Sequence, residues 1–344
     1  MRIGINGMGR IGRLVTRAGF GGVKRPINDP RRNNRLAIVH VNEIGCTSKS
    51  CAHLMSFDSF QGAWPDSSIE AIDELAIKID ERIVSYSAYA KPKDIPWGDL
   101  GVDLVLECTG KFLSEEDLSG HLQRGAKKVI VAAPIKFKDA LNVVMGVNET
   151  LYSPERDHIL SAASCTTNCL APIVGVIHEN LVIRRGQITT VHNPTNTNLV
   201  VDGAHNDLRR ARSALVSMHP TTTGSASAIG LIYPELDGKL NGHAIRVPVA
   251  NSSLTDCVFE VEKETNSEQV NRCLRAAAQS SLAGILGFEG RPLVSADFSG
   301  DTRSSIIDGL STIVTDKHMV KIYSWYDNEM GYSCRMVDLA CFIA

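Results

Sequence analysis

The residues best suited to chemistry in this chain centre on one cysteine. Ser164-Cys165-Thr166-Thr167-Asn168-Cys169 is followed by Leu170-Ala171-Pro172. The run His158-Ile159-Leu160 upstream reads as strand, and the residues after Cys165 read as helix. A helix start carries unpaired N–H groups and partial positive charge, both of which favour a thiolate, so Cys165 is placed as a nucleophile. Such a nucleophile needs a base within hydrogen-bond reach. His192 ends the strand-like run Ile188–Val191, 27 residues on, where a helix and a returning strand could bring the two together. His158, His178, His205, His219 and His243 compete for the same role. Thr195, Thr197, Arg209, Arg210, Arg212, Thr221, Thr222, Thr223, Gly224 and Arg246 supply hydroxyls and cations nearby in the sequence. Arginine forks with Ser/Thr hydroxyls make anion sites, and two separated sets would suit two phosphate groups. A solvated basic strip is the alternative for Arg209, Arg210 and Arg212.

A second constellation opens the chain. Gly7-Met8-Gly9-Arg10-Ile11-Gly12 fits G-x-G-x-x-G, preceded by an apolar strand and followed by a helical stretch from Arg10 to Ala18. Gly7 permits the tight turn, Gly9 lets backbone approach a pyrophosphate, and Gly12 allows close helix–strand packing. The helix start then faces the phosphates. Glu43 ends the second strand, where a carboxylate can accept from the adenosine ribose and repel a 2′-phosphate; this favours NAD over NADP. Thr109 and Gly110 follow a third strand end, at Glu107, and are placed to contact the cofactor. Ordinary strand-end turns are the bland reading of each.

These sites need elements to hold them. Strands at Arg2–Ile5, Leu36–Val41, Asp103–Glu107, Lys128–Ala132 and Val143–Gly146 alternate with helical stretches, which predicts a doubly wound parallel sheet. Gly21 to Asn34 is polar, with two prolines, and reads as a loop. After Cys165, the alternating runs Ile188–His192, Ala244–Val249 and Ser253–Val261 predict a mostly antiparallel sheet with helices on one face. Asn193 to Met218 reads as a long functional or interface loop. Tyr332 to Ala344 reads as a helix packing back on the first domain.

Composition sets the outer bounds. The 344 residues suit two domains, and 43% hydrophobic with 22% charged residues is ordinary for a globular protein. A net charge of -2 gives no general pull toward nucleic acid or acidic membranes. Nine cysteines show neither a disulfide framework nor a paired Cys/His metal set, so no metal is expected and a reducing compartment is the natural reading. With no signal-like segment and no apolar run near about 18 residues, the expected location is the cytoplasm.

Five segments together resemble one family. They are Asn6–Arg13, Ala163–Pro172, Pro220–Gly224, Arg246-Val247-Pro248 and Trp325–Tyr332. They resemble the phosphorylating glyceraldehyde-3-phosphate dehydrogenases, in that family's order and across nearly the whole chain. The resemblance implies an α/β Rossmann domain over 1–164, completed by a C-terminal helix at 330–344. It implies an α+β catalytic domain over 165–329, and a homotetramer. It implies Cys165 as nucleophile and His192 as base. Ser164, Thr166, Arg210, Thr223 and Gly224 match positions around inorganic phosphate and the attacked carbonyl. Thr195, Thr197 and Arg246 match the site for the substrate's own phosphate. Arg10, Ile11 and Glu43 match cofactor phosphate and ribose positions, Asn328 the nicotinamide carboxamide, and Tyr332 packs nearby. The implied partners are a phosphorylated aldehyde, phosphate or arsenate, and copies of the chain itself, with no membrane and no main role on nucleic acid.

Departures from the family pattern include Met8, Met330, Glu43 in place of Asp, Ala132, Ala90, the run Asn193–Asn198, and Gly203-Ala204. They resemble the members associated with arsenate efflux, in which arsenate replaces phosphate as acyl acceptor. The rival readings are an erythrose-4-phosphate dehydrogenase, which hydrolyses its thioester, and a non-enzymatic NAD-binding interaction protein. A redox sensor on Cys165 could coexist with catalysis.

Overall fold

The computed structural model describes residues 1–138 and 140–344. The chain forms two compact units, one of residues 1–164 with 332–344 and one of residues 165–331.

The first unit runs β1 (Arg2–Asn6), α1 (Arg10–Phe20), β2 (Ala37–Asn42), α2 (Ser48–Ser56), β3 (Ile69–Asp73), β4 (Ala76–Ile79), β5 (Arg82–Ser87), β6 (Leu104–Glu107), α3 (Glu115–Gln123), β7 (Lys128–Val131), β8 (Leu141–Asn142) and β9 (Ile159–Ser161). Its sheet has the order β3-β4-β5-β2-β1-β6-β7-β9-β8. Every pairing from β5 to β8 is parallel. Parallel strands are covered on both faces, and β6 is buried at all four residues accordingly. The chain winds outward from β1 in both directions, to β2 on one side and β6 on the other. That reversal leaves a crevice beyond the carboxyl ends of these three strands, where a dinucleotide binds.

Two sequence expectations change here. Val143–Gly146 is not a strand; the pairing segment is the two-residue β8 just before it. Val144 N–H donates to Asn148 Oδ1, Val147 N–H to the Val144 carbonyl, and Gly146 takes φ +82°, so local turn bonds displace the ladder. The antiparallel edge β3-β4-β5 was not anticipated. Its apolar residues Ile72, Leu75 and Ile83 are exposed, so burial leaves no clean alternation to read.

The polar stretch Gly21–Asn34 contains no helix or strand, and it carries the unit's main buried ion pair. Arg25 Nη1 meets Asp338 Oδ1 at 2.7 Å and Asp29 Oδ2 at 3.3 Å, and Nη2 donates to the Cys334 carbonyl. Both carboxylates are fully buried. Without Arg25, Asp338 keeps Arg335 at 2.7 Å and Asp29 keeps Arg31 at 3.4 Å, so what is lost is a set of charge-assisted hydrogen bonds, about 1.5–3 kcal/mol. Arg25→Ala is therefore expected to lower unfolding stability by that amount in denaturant titration. A loss under about 1 kcal/mol, the scale of an exposed pair, would show the tie to be incidental.

The second unit runs α4 (Cys165–Leu181), β10 (Ile183–His192), β11 (His219–Thr222), α5 (Ser225–Ile232), β12 (Leu240–Arg246), β13 (Ser253–Val261), α6 (Ser267–Gln279), β14 (Leu286–Glu289), β15 (Ser305–Asp308), β16 (Ile313–Thr315) and β17 (Met319–Tyr326). The last helix, α7 (Met330–Phe342), passes into the first unit at Tyr332. The sheet order is β11-β12-β10-β13-β17-β15-β14, with β16 paired to β17. Only β10–β12 and β14–β15 are parallel. β13 alternates buried and half-buried residues throughout, the period-2 pattern that its sequence carries. β12 starts earlier than expected and stops at Arg246, short of Pro248, which has no N–H to give a ladder. Asn193–Met218 contains no helix or strand.

Candidate active site

The two ends of the second unit's main strands define the catalytic geometry. His192 is the last residue of β10, and the parallel register places Arg246, the last residue of β12, directly beside it. Cys165 opens α4, and its Sγ lies 3.7 Å from His192 Nε2. His192 Nδ1 lies 2.8 Å from the Asn193 carbonyl oxygen and 2.7 Å from Arg246 Nη1. Arg246 Nη1 also donates to that carbonyl at 2.9 Å. Nδ1 thus faces an acceptor and a donor at once; in the tautomer that gives its proton to the Asn193 carbonyl, Nε2 keeps a lone pair aimed at the sulfur, as a base requires. Burial, reinforced by the Arg246 charge, lowers the imidazole to about 3. His192 is thus neutral and able to accept a proton at ordinary pH.

Burial pushes the Cys165 thiol upward, against the opposing pull of Arg246 and of hydrogen bonds from Thr166 and its own backbone. Tyr326 braces the pair. Its hydroxyl bonds Thr166 Oγ1 at 2.9 Å and Thr190 Oγ1 at 2.8 Å, and its ring meets the His192 ring edge-on at 6.0 Å.

The expected anion residues divide into two groups. Arg210 Nε donates to Thr221 Oγ1 at 2.9 Å and pairs with Asp207 at 3.6 Å; it also lies close enough to Arg246 for the two charges to repel. Thr223 and Gly224 lead into α5, with Gly224 as its N-cap and open space where a Cβ would stand. Thr195 and Thr197 bond each other through their hydroxyls at 3.1 Å, two and four residues beyond the Asn193 carbonyl that Arg246 holds. Ser164 immediately precedes α4 and closes the first unit. Asn328 Oδ1 accepts from Ser253 Oγ at 3.1 Å, so the group it can offer a ligand is its amide NH₂.

In the first unit, a cavity of about 160 Å³ lies at the ends of β1, β2 and β6, lined by Gly7, Gly9, Glu43, Ile44, Tyr89 and Thr109 among others. Gly7 has φ +94°, which a side chain would resist, and a Cβ on Gly12 would sit 2.0 Å from the Gly7 oxygen. Gly9 has nothing within 4 Å of a built Cβ, so its backbone is open to a ligand. The first intrahelical bond of α1 is Arg13 N–H to the Gly9 carbonyl, which leaves the Arg10–Ile11–Gly12 turn as the helix start facing outward. The Arg10 guanidinium itself pairs with Asp58 and stacks over Phe60. Glu43 accepts from Met8 N–H at 2.7 Å and from Gly45 N–H. Thr109 turns its N–H and hydroxyl onto Glu107, and Gly110 takes φ +67°. Tyr332 donates to the Ala163 carbonyl at 3.0 Å, where Ala163 sits at φ +55°.

Residues 1–115 match the family model described as "Glyceraldehyde 3-phosphate dehydrogenase, NAD binding domain", and residues 164–328 match "Glyceraldehyde 3-phosphate dehydrogenase, C-terminal domain". Glyceraldehyde-3-phosphate dehydrogenase 3 of Nostoc sp. is 56% identical, over 100% of this chain and 98% of its own length. The chain belongs to the glyceraldehyde-3-phosphate dehydrogenase family. The Geobacillus stearothermophilus glyceraldehyde-3-phosphate dehydrogenase is 48% identical over 100% of the chain and 98% of its own length. Glyceraldehyde-3-phosphate dehydrogenase 2 of Bacillus subtilis is 42% identical over 100% and 97%.

Within this glyceraldehyde-3-phosphate dehydrogenase family chain, the cofactor is NAD, and the crevice fits it. The open Gly9 backbone and the α1 start suit a pyrophosphate, and Glu43 retains lone pairs for a ribose diol. Sequence reasoning missed what holds this crevice in shape. Glu107 is buried and accepts from Asn6 Nδ2 at 2.6 Å and from His121 Nε2 at 3.1 Å; Asn42 donates to Asn6 at 2.8 Å. Trp97 Nε1–H donates to His121 Nδ1 at 2.9 Å, which fixes the tautomer that faces Glu107. The available signal was that three buried strands each end in a polar residue. Tyr326 and the Asn193 carbonyl were also missed. Among the described residues, no group of three or more His, Cys, Asp or Glu side chains is placed to hold a metal, and no helix is long and apolar enough to cross a membrane.

Proposed function

We propose that this protein oxidises glyceraldehyde 3-phosphate with NAD through a thioester on Cys165 and passes the acyl group to phosphate or arsenate. The observation that carries the reading is the Cys165 Sγ–His192 Nε2 approach of 3.7 Å. Cys165 adds to the aldehyde carbon as its proton passes by way of His192 to the carbonyl oxygen, giving a hemithioacetal. NAD, when bound, supplies the acceptor for the hydride that then leaves this carbon. His192 Nε2 takes the hemithioacetal hydroxyl proton in the same step, and the Arg246-held Asn193 carbonyl stabilises the imidazolium through Nδ1–H. The Cys165 backbone N–H, at the start of α4, supports the developing oxyanion.

Arg210, Thr166, Thr223 and Gly224, with Ser164, hold the attacking oxyanion. Arg246, Thr195 and Thr197 hold the substrate's own phosphate. The proximity of the Arg210 and Arg246 charges supports an anion between them. Asn328 orients the carboxamide of the nicotinamide through its amide, and Tyr332 fixes the Ala163 carbonyl. The working form is a homo-oligomer, a tetramer, in the cytoplasm. Val200, Val201, Leu208, Val216 and Met218 are exposed within one loop, an apolar surface that a partner copy would cover.

NADH formation from glyceraldehyde 3-phosphate is expected to require an oxyanion and to proceed with phosphate or with arsenate. Turnover of the same size with neither would overturn the acyl-transfer reading in favour of thioester hydrolysis. The ratio of the two oxyanion rates assigns the acceptor.

A further inference from the structure

Away from Cys165, two more cysteines stand together beside the cofactor crevice. Thr47 is the N-cap of α2, its hydroxyl accepting from Ser50 N–H at 3.2 Å. Cys46 is therefore the residue just before the cap, and Cys51 is the fourth helical residue. Those two positions are brought into side-chain contact by the way a capped helix starts. In most helices they hold an apolar pair; here they hold two thiols, which are hydrogen-bonded neighbours. Cys51 is fully buried, whereas Cys46 is partly open to solvent. Cys46 Sγ also lies 3.9 Å from the Tyr86 hydroxyl, and the Arg13 charge acts on both sulfurs. Neither cysteine has a part in the reaction described above.

We propose that Cys46 and Cys51 are a peroxide-sensitive pair that closes to a disulfide and thereby weakens NAD binding. Cys46, the accessible thiol, is attacked first: its sulfur takes one oxygen from hydrogen peroxide, giving a sulfenic acid and one water. The Cys51 sulfur then displaces that hydroxyl as a second water and forms the S–S bond. Two thiols lose two electrons in total, and the peroxide gains them. Burial pushes Cys51 up to about 12, which keeps it from being the thiol oxidised first.

The link to the cofactor is the loop that carries Cys46. Glu43 and Gly45 lie in it, and Glu43 holds the glycine turn through Met8 N–H. Tyr86 donates to the Cys46 carbonyl at 2.5 Å and to the Glu43 carbonyl at 3.3 Å, so the loop is pinned at both residues. Drawing two sulfurs from contact to a bond of about 2 Å displaces the Cys46 backbone and, with it, Glu43.

The experiment uses the full chain carrying Cys165→Ser, so that the catalytic thiol does not consume the oxidant. After hydrogen peroxide treatment and blocking of free thiols, a tryptic digest without reductant is read by mass spectrometry. Lys49 lies between the two cysteines, so the bond joins two separate peptides. The expected result is that linked pair, together with NAD binding weakened at least fivefold and restored by dithiothreitol. Adding Cys46→Ser should abolish both effects, and so should Cys51→Ala. Absence of the linked peptides, or equal loss of NAD binding in the Cys46→Ser protein, overturns the proposal. Linked peptides with unchanged NAD affinity overturn the coupling. The coupling rests on the NAD reading of the crevice, and failure of untreated protein to bind NAD would reject that reading while leaving the mass result to decide the disulfide.

Discussion

Cys165→Ser is expected to cut turnover by about 10⁴-fold or more while NAD still binds. Serine keeps the shape of the helix start, so the change falls on the chemistry. At 3.7 Å the His192 nitrogen is placed to take a proton from sulfur, a far stronger acid than a serine hydroxyl. A serine hydroxyl is far more basic as an anion and is not ionised by an imidazole lowered to about 3. The hemithioacetal and thioester then have no atom on which to form. Single-turnover NADH formation, with NAD binding measured separately by calorimetry, checks this. Near-normal turnover in the variant would remove Cys165 from the mechanism.

His192→Asn is expected to lower kcat by about 10²–10⁴-fold, the range for losing a positioned general base. The pH dependence carries more information than the rate. In the folded protein His192 titrates near 3, below the usual histidine value near 6.5. The wild-type enzyme should therefore show no loss of kcat/KM from this group as pH falls through 6.5. Its depressed value also links it to stability. The unfolded chain takes up a proton below about 6.5 and the folded chain does not, so stability is full above that pH and declines as pH falls toward 3. The slope is at most about 1.4 kcal/mol per pH unit for the one proton. His192→Asn should flatten this part of the profile in denaturant titrations at pH 7, 6 and 5. An unchanged slope would mean that His192 is protonated in the folded enzyme, and its role as base at rest would fail.

The parts of the site that carry letters of their own were legible in the sequence. Cys165 and the glycine turn announce themselves because each needs one residue type at one place. The His192 assignment needed the family resemblance, since six histidines compete between 158 and 243. What selects His192 physically is strand register: it ends β10 beside the last residue of β12. Register is set by pairing across more than fifty residues and leaves no local mark. The Asn193 carbonyl was invisible for a simpler reason, because every residue has a carbonyl. Tyr326 reaches Thr166 across 160 residues, beyond any spacing rule. The strand expected at Val143–Gly146 failed on Asn148, whose side chain offered the backbone a nearer partner than the sheet.

The passage of α7 into the first unit sets the order in which this protein can be made. Asp338 supplies a buried partner for Arg25, and Tyr332 holds the Ala163 carbonyl, yet both lie in the last thirteen residues. After residue 164 the ribosome adds 174 residues before Asp338 is in place. At roughly 5–20 residues per second that is about 10–35 s in which the nascent nucleotide-binding half lacks its final piece. Arg25 and Asp29 cannot close over Asp338 until α7 has been synthesised and has left the ribosome. The first half to be synthesised is thus the last to be completed, and deleting residues 332–344 should harm the N-terminal unit more than the unit translated just before them.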